Sequence, residues 1–365
     1  MRDMAWAVPE HTPDVLNAAG NKLATLEFPV VDDAGLQALA VLNNWRAAHA
    51  YPLNTFQITL RTKARRIEGG VIVAQRVKRL ESIHTKLSRF PTMRMSQMQD
   101  IAGCRAVFKR MSSVRKLVES YQVSRFGHIL RGEKNYIAAP KPDGYRCYHL
   151  VYEYVGTEST QQYNGLKVEV QIRTQLQHAW ATAVEAVGIF TKQALKSNQG
   201  DEDWLRFFAL MASAIAAIER CPPVPNTPTR KHLLIREIRA LVNKLNVRKM
   251  LMVYNTSIQH VGTATGAKYF LLQLDPSTEP PKITVWQYKA KQSEEANRKY
   301  TELESSIEEG SSRQIVLVSV ENINALKRAY PNYFMDTNVF AQTVEKVIGG
   351  NFPDPQSSPQ RTLPF

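Results

Sequence analysis

The stretch KVEVQIRT, Lys167 to Thr174, decides how the fold is read. With a two-residue period, Val168, Val170 and Ile172 point one way, while Glu169, Gln171 and Arg173 point the other. An ordinary half-buried strand turns its polar face to water. A carboxylate, an amide and a guanidinium in line on one rigid strand raise the question of what else the chain brings to that face.

The chain has 365 residues, enough for two or three domains that each bury a core. With 44% hydrophobic and 22% charged residues, it reads as soluble and globular. The longest apolar run, FFALMASAIAAI (Phe207 to Ile218), has 12 residues, short of the roughly 20 that a membrane helix needs. The start, MRDMAWAVPEHT, lacks the long apolar stretch of a secretory signal. Cys104, Cys147 and Cys221 form no CxxC and leave one cysteine unpaired, which suits a reducing compartment. The expectation is a cytoplasmic protein without membrane contact.

The formal charge of +14 is unevenly spread. From Arg61 to Arg146 there are 20 Lys/Arg against 6 Asp/Glu, which leaves 27 of each sign in the remainder. A basic block inside an otherwise neutral chain implies a polyanionic partner, such as nucleotide phosphates or RNA, or else a solvated basic surface.

Residues 1–55 read as helical, with DDAGLQALAVLNNWRAAHA as an amphipathic helix opened by an Asp cap. Between residues 56 and 220, IVAQRVKRLESIHTKLSR reads as a helix, IAGCRAVFKRM as a strand and SSVRKLVESYQ as a helix. The loop EKNYIAAPKPDG, the strands YRCYHLVYEYV and LKVEVQIR, and the helices TQLQHAWATAVEAVGIF and DEDWLRFFALMASAIAAIER follow. This order predicts an α/β (α+β) unit with a mixed sheet flanked by helices. CPPVPNTP (221–228) is a proline-rich linker. Residues 229–350 read as a smaller α/β unit of unknown role, with the strands AKYFLLQLD, KITVWQYK and RQIVLVSV, and 351–365 as a disordered tail. No metal-ligand spacing, glycine-rich phosphate loop or nucleophile elbow occurs in 229–350.

Several pieces belong beside KVEVQIRT. Lys78, Ser82 and Lys86 recur at four-residue steps and share a helix face, with Val77, Leu80, Ile83 and Leu87 on another. Such a row could hold phosphate oxygens, although solvated lysine stripes are common. Asp100 opens the strand that carries Arg105; taken alone it serves equally well as a turn residue or a metal ligand. The Pro-Lys-Pro-Asp-Gly turn delivers Tyr145 and His149 to one face of the next strand. Together, Asp100 and Glu169 supply hard oxygen ligands that suit Mg²⁺. Lys78, Lys86, Arg105, Lys134, Lys141 and Arg173 supply cations for a triphosphate. Tyr145 offers a stacking face for one base, and the guanidinium groups of Arg76 and Arg105 can sandwich another. Two bases, many phosphates and a metal describe phosphoryl or pyrophosphoryl transfer between nucleotides, which depends on positioning and charge neutralisation.

From Arg76 to Lys192 the chain resembles the synthetase domain of the RelA/SpoT alarmone synthetases, whose fold is nucleotidyltransferase-like. The motifs RVKRLESIHTK, DIAGCRAVF, KNYIAAPKPDGYRCYH and VEVQIRTQLQHAWA appear in order. The resemblance implies transfer of the β,γ-pyrophosphate of ATP to the ribose 3′ hydroxyl of GDP or GTP. It further implies that Arg76 and Arg105 clamp adenine, that Lys78, Ser82 and Lys86 hold ATP phosphates, and that Asp100 binds Mg²⁺. Lys134, Lys141, Tyr145 and His149 would serve the acceptor, with Tyr145 stacked on guanine and His149 near its phosphates. Glu169 would bind metal or take the hydroxyl proton, beside Gln171 and Arg173.

Asn135 and Asp143 depart from the family pattern, Asp and Asn being commoner at these places, and GIFTK replaces the commoner Tyr-Lys ending. The hydrolase of long bifunctional relatives needs a His-Asp metal motif, and no histidine in this chain precedes Asp. Synthesis without hydrolysis is therefore expected. Two alternatives stay open: a toxin-like pyrophosphotransferase acting on adenine nucleotides or on the 3′ CCA end of tRNA, suggested by RTKARR (61–66), and a silent nucleotide- or RNA-binding regulator. Neither the preference between GDP and GTP nor a homo-oligomeric state is legible.

Overall fold

The alternation of Lys167–Thr174 is realised as a strand in the middle of one twisted sheet. The structure is a computed structural model. It describes residues 6–26, 30, 32–124, 126–191, 195, 200–252, 257–261, 266–278, 281–307, 311, 313–320, 323–331, 333–334 and 336–355. The chain opens with three helices, α1 (Pro13–Leu23), α2 (Asp33–Ala48) and α3 (Ala50–Ile67). There follow β1 (Ile72–Val77), α4 (Leu80–Arg89), β2 (Ala102–Phe108), α5 (Met111–Gln122), β3 (Ile129–Asn135), β4 (Tyr148–Glu153), β5 (Lys167–Thr174), α6 (Gln175–Phe190) and α7 (Glu202–Glu219). The remainder forms α8 (Lys231–Lys244), α9 (Val247–Met252), β6 (Ser257–Val261), β7 (Tyr269–Asp275), β8 (Lys282–Tyr288), α10 (Ser293–Ser305), β9 (Gln314–Ser319), α11 (Ile323–Ala329) and α12 (Asn338–Ile348).

The strand order is β3-β4-β5-β2-β1-β9-β7-β8-β6. Among the described residues, β2/β5 and β6/β8 run parallel and the other pairs antiparallel, so the sheet is mixed, as the order of strands and helices predicts. On one face, Phe56, Leu60 and Ala64 of α3 and Val114, Leu117 and Val118 of α5 pack against Ala102, Cys104 and Ala106 of β2 and Val168, Val170 and Ile172 of β5. Every apolar residue of KVEVQIRT enters this core. The basic run Arg61–Arg66 ends α3 and therefore lies behind the sheet, away from the polar side of β5.

Two local readings are corrected. The helix expected from Ile72 begins only at Leu80. Ile72 and Ala74 alternate on β1, paired across to Val107 and Arg105 of β2, and Lys78 sits in the connection rather than on the helix. Glu133 to Asn135, expected in a loop, end the edge strand β3.

Beyond the proline-rich stretch the chain continues the same sheet: β9 pairs with β1 through Gln75↔Ser319 and Arg76↔Val318. Leu234 and Ile238 of α8 and Phe340 and Val344 of α12 share a core with Trp180 of α6 and Phe207 and Phe208 of α7. Val224 belongs to that core as well, so the connecting segment is packed rather than free. Of the tail expected to be disordered, 351–365, the first part is packed, with Phe352 buried in the same core, and 356–365 lie outside the described residues.

A buried charge pair fastens α2 to α10. Arg46, 4% exposed, meets Glu304, 6% exposed, at 2.7 Å, and Tyr300 Oη accepts from Arg46 at 2.6 Å and donates to Glu304 at 2.8 Å. Glu304 Oε1 also accepts from the Leu80 backbone N–H at 2.7 Å. The N-cap residue of α4, Arg79, offers no side-chain cap, so the carboxylate of α10 satisfies the start of α4. Removing one partner of such a pair leaves an uncompensated buried charge. Glu304→Ala should therefore cost about 3 kcal/mol in chemical denaturation, and the double change Arg46→Met with Glu304→Leu should cost less than that single change.

Candidate active site

The face of β5 opposite the α3/α5 core carries Glu169, Gln171 and Arg173. Pairing fixes their neighbours. Gly103 of β2 and Val151 of β4 flank Glu169, and Arg105 of β2 and His149 of β4 flank Gln171. Arg76 lies opposite Gly103 on β1, and Lys134 on β3 lies opposite His149. Gly103 leaves the floor open beside Glu169, since an added Cβ would meet only a backbone oxygen at 3.6 Å.

Two polar groups of residues form on this floor. In the first, Glu169 Oε1 lies 2.6 Å from His149 Nδ1, and Glu169 Oε2 accepts from the Gln171 amide at 2.6 Å. His149 Nε2 is 2.9 Å from the Tyr145 hydroxyl. Burial opposes charge on His149, yet Cys147 and the Glu169 carboxylate push its pKa up to about 10. Burial, the largest influence, raises Glu169, but the hydrogen bond and charge of His149 together with the hydrogen bond from Gln171 hold the carboxyl below its usual range. In the second group, Asp100 receives Lys78 Nζ on one oxygen at 2.7 Å and Lys86 Nζ on the other at 2.9 Å. Burial alone would raise the Asp100 pKa; the two ammonium groups carry it far below the carboxylate range instead. Asp100 lies three residues before Gly103, the strand neighbour of Glu169, and its charge opposes that of Glu169.

Tyr145 is delivered by a forced turn. Gly144 has φ +96°, and a Cβ there would stand 2.6 Å from Ala212 Cβ, so only glycine lets the turn press against α7. Asp143 Oδ1 accepts from Tyr145 N at 2.8 Å, and Asn135 Oδ1 accepts from Ile137 N and Ala138 N at 3.2 and 2.9 Å. Both departures from the family pattern thus act as backbone acceptors, a task Asn and Asp share. Lys141 Nζ sits 4.8 Å from the Tyr136 ring centroid and 5.3 Å from that of Tyr145. Tyr136, unassigned by the sequence reading, packs edge-on to both Tyr145 and His149.

The remaining sequence candidates fall around this centre. Ser82 is half-buried in the first turn of α4, and Lys134 is exposed. The Arg105 guanidinium is capped by the ring of Tyr330 at 5.1 Å, and Tyr330 Oη donates to the Gln75 carbonyl at 2.9 Å. Arg173, 5% exposed, donates to His178 Nδ1 at 2.5 Å. Tyr330 and His178 were given no role from sequence. His178 lies inside the HAWA motif, a local signal; nothing local marks Tyr330, which comes from just past α11.

Residues 75–194 match the family described as "Region found in RelA / SpoT proteins". This segment is a RelA/SpoT-type region. Two Bacillus subtilis (strain 168) proteins, GTP pyrophosphokinase YjbM and GTP pyrophosphokinase YwaC, are each 36% identical to it over 113 and 112 residues, covering 30% and 29% of this chain and 52% of each relative. The chain thus spans about half the length of the curated relatives it matches. A crystal structure of small alarmone synthetase 1 from Bacillus subtilis, bound to its product pppGpp, is 30% identical over 37% of this chain and 74% of that one, with a TM-score of 0.32.

The lysine pair makes Asp100 a sensitive position. Asp100→Asn removes the charge that two partly buried ammonium groups share, and should lower thermal stability by about 1–2 kcal/mol. Adding Lys86→Met to that variant should recover part of the loss by relieving the like charges, which a melting series would show.

Proposed function

We propose that this protein transfers the β,γ-pyrophosphate of ATP to the 3′ hydroxyl of GDP or GTP. The observation that carries the reading is the Tyr145–His149–Glu169–Gln171 chain on the β5 face opposite the α3/α5 core, next to Asp100 and two lysines. The RelA/SpoT-type match over 75–194 and the two relatives named GTP pyrophosphokinase support it.

The acceptor base stacks on Tyr145 after Lys141 leaves its ring. The 3′ hydroxyl gives its proton to the Glu169 carboxylate, which Gln171 and His149 hold in place. The freed oxygen attacks the β-phosphorus of ATP; the bond from that phosphorus to the α–β bridging oxygen breaks, and AMP departs with the negative charge on its phosphate. Lys78, Lys86 and Arg173 neutralise phosphate oxygens, Ser82 donates a hydrogen bond to them, and Arg76 and Arg105 hold the adenine. Asp100 and Glu169 suit Mg²⁺. Among the described residues no cluster of three or more His, Cys, Asp or Glu could hold a metal alone, and Mg²⁺ is commonly held by one or two carboxylates with phosphates and water. When bound, the ion would supply charge neutralisation at the phosphates. The proposal includes synthesis without hydrolysis, because no His-Asp pair occurs in the sequence.

Labelled ATP with GDP, GTP, AMP or deacylated tRNA tests the acceptor, with label expected on the guanine nucleotides. Label on tRNA alone would overturn the assignment. Glu169→Gln should lower turnover by about 10³-fold with nucleotide affinity little changed; undiminished turnover would remove Glu169 from the chemistry. Adenine and the Tyr330 ring would compete for the guanidinium of Arg105. Tyr330→Leu, which keeps most of the buried volume, should therefore tighten ATP binding by roughly fivefold in calorimetry, the equivalent of one cation–π contact of about 1 kcal/mol.

A further inference from the structure

Arg173 is held in an unusual way. It lies on the cleft face of a central strand and is 5% exposed, yet it forms no ion pair among the described residues. A buried guanidinium is ordinarily placed against a carboxylate, because an uncompensated buried charge is costly. Here the partner is the imidazole of His178, itself 5% exposed, whose Nδ1 accepts from Arg173 Nη2 at 2.5 Å. The Arg173 Nε has no hydrogen-bond partner among the described residues. A second cation, Arg105, stands close enough for Arg173 to depress its pKa.

The geometry also fixes the state of the imidazole. A guanidinium only donates, so His178 Nδ1 must be bare. Nε2 lies 3.2 Å from the Arg328 carbonyl in α11 and must therefore carry the proton. Burial and the two neighbouring guanidinium groups keep the ring neutral. The result is a rigid, uncharged acceptor, anchored at its far end by a backbone carbonyl.

We propose that His178 is a positioning residue that holds the Arg173 guanidinium at the cleft floor with its charge unspent, so that this charge meets the transferred phosphates. A carboxylate in the same place would also orient Arg173 but would cancel its field where phosphate charge develops. A neutral acceptor orients the group and leaves the field intact. This rests on the pyrophosphate-transfer reading, with Arg173 as the group that touches the phosphates and His178 acting through it.

Three variants of the full chain, assayed with ATP and GDP, separate the two ends of the imidazole. Asn places an amide oxygen where Nδ1 stands and can still accept from Arg173. Gln places its amide where Nε2 stands and can reach the Arg328 carbonyl but not Arg173. Leu does neither. His178→Gln and His178→Leu should lose about 100-fold in kcat with KM for both nucleotides within about threefold, and His178→Asn should stay within about fivefold of the parent in kcat. Equal loss in Asn and Leu, or a rise in KM with kcat unchanged, would overturn the proposal. Nitrogen NMR of histidine-labelled wild-type protein reads the same contact without any reaction or variant. A neutral ring protonated on Nε2 supports the proposal, whereas a charged ring or an Nδ1 proton sinks it. If wild-type protein transferred no pyrophosphate, the functional reading would fail, and this tautomer would still decide whether His178 accepts from Arg173.

Discussion

Everything about the cleft follows from one constraint on β5. The strand is hydrogen-bonded on both sides, to β2 in parallel and to β4 in antiparallel register. Its even-numbered residues Val168, Val170 and Ile172 are fully buried against α3 and α5. A slip of one residue would drive Glu169, Gln171 and Arg173 into that core, so the register is strongly specified. The polar row is thereby forced to the opposite face, and each member must find a partner there. Glu169 takes His149 and Gln171, and Arg173 takes His178. The cost of half-burying Glu169 and Gln171 and fully burying Arg173 is offset by the apolar half of the same strand.

The second half of the chain is tied into this arrangement. β9 extends the sheet past β1, and α10 provides the carboxylate that both neutralises Arg46 and caps α4. α4 carries Ser82 and Lys86, so the helix that faces Asp100 begins on a group contributed from 224 residues away. Glu219 does the equivalent for α6: it accepts from Thr174 and, at 2.8 Å, from the Gln177 amide, securing the helix that presents His178. The starts of α4 and α6 are thus each held by an acidic residue brought from another element, through a backbone N–H in α4 and through the Thr174 and Gln177 side chains in α6.

Much of this was legible in the sequence where periodicity was unmixed. KVEVQIRT and IAGCRAVF alternate cleanly and are strands; SSVRKLVESYQ and TQLQHAWATAVEAVGIF carry helical spacing and are helices. The misreading at Ile72 has a physical origin. Val77, Leu80, Ile83 and Leu87 have helical spacing, and that signal overran the preceding alternation of Ile72 and Ala74. The row of Lys78, Ser82 and Lys86 was therefore placed on one helix, yet Lys78 and Lys86 still converge, because a strand-to-helix connection brings both to Asp100. What could not be read were contacts between distant segments. Arg46 and Glu304 are 258 residues apart, and neither stands in a pattern that marks a buried ion. The same holds for Tyr330 against Arg105, since a tyrosine after a short amphipathic helix looks like any other core aromatic.

Those distant contacts converge on α11 and the residue after it. Tyr330 covers Arg105 and bonds the β1 backbone at Gln75, while the Arg328 carbonyl fixes the tautomer of His178 and, through it, Arg173. Arg328 and Tyr330, two residues apart, thereby touch β1, β2 and α6. Their effects on the cluster are opposite in kind. Tyr330 occupies a guanidinium face, whereas Arg328 orders the acceptor that keeps another guanidinium in place. A rigid displacement of α11 would release both at once, so uncovering Arg105 by moving the helix and uncovering it by shortening one side chain are physically different events: the first also frees His178, and only the second leaves Arg173 where the fold has set it.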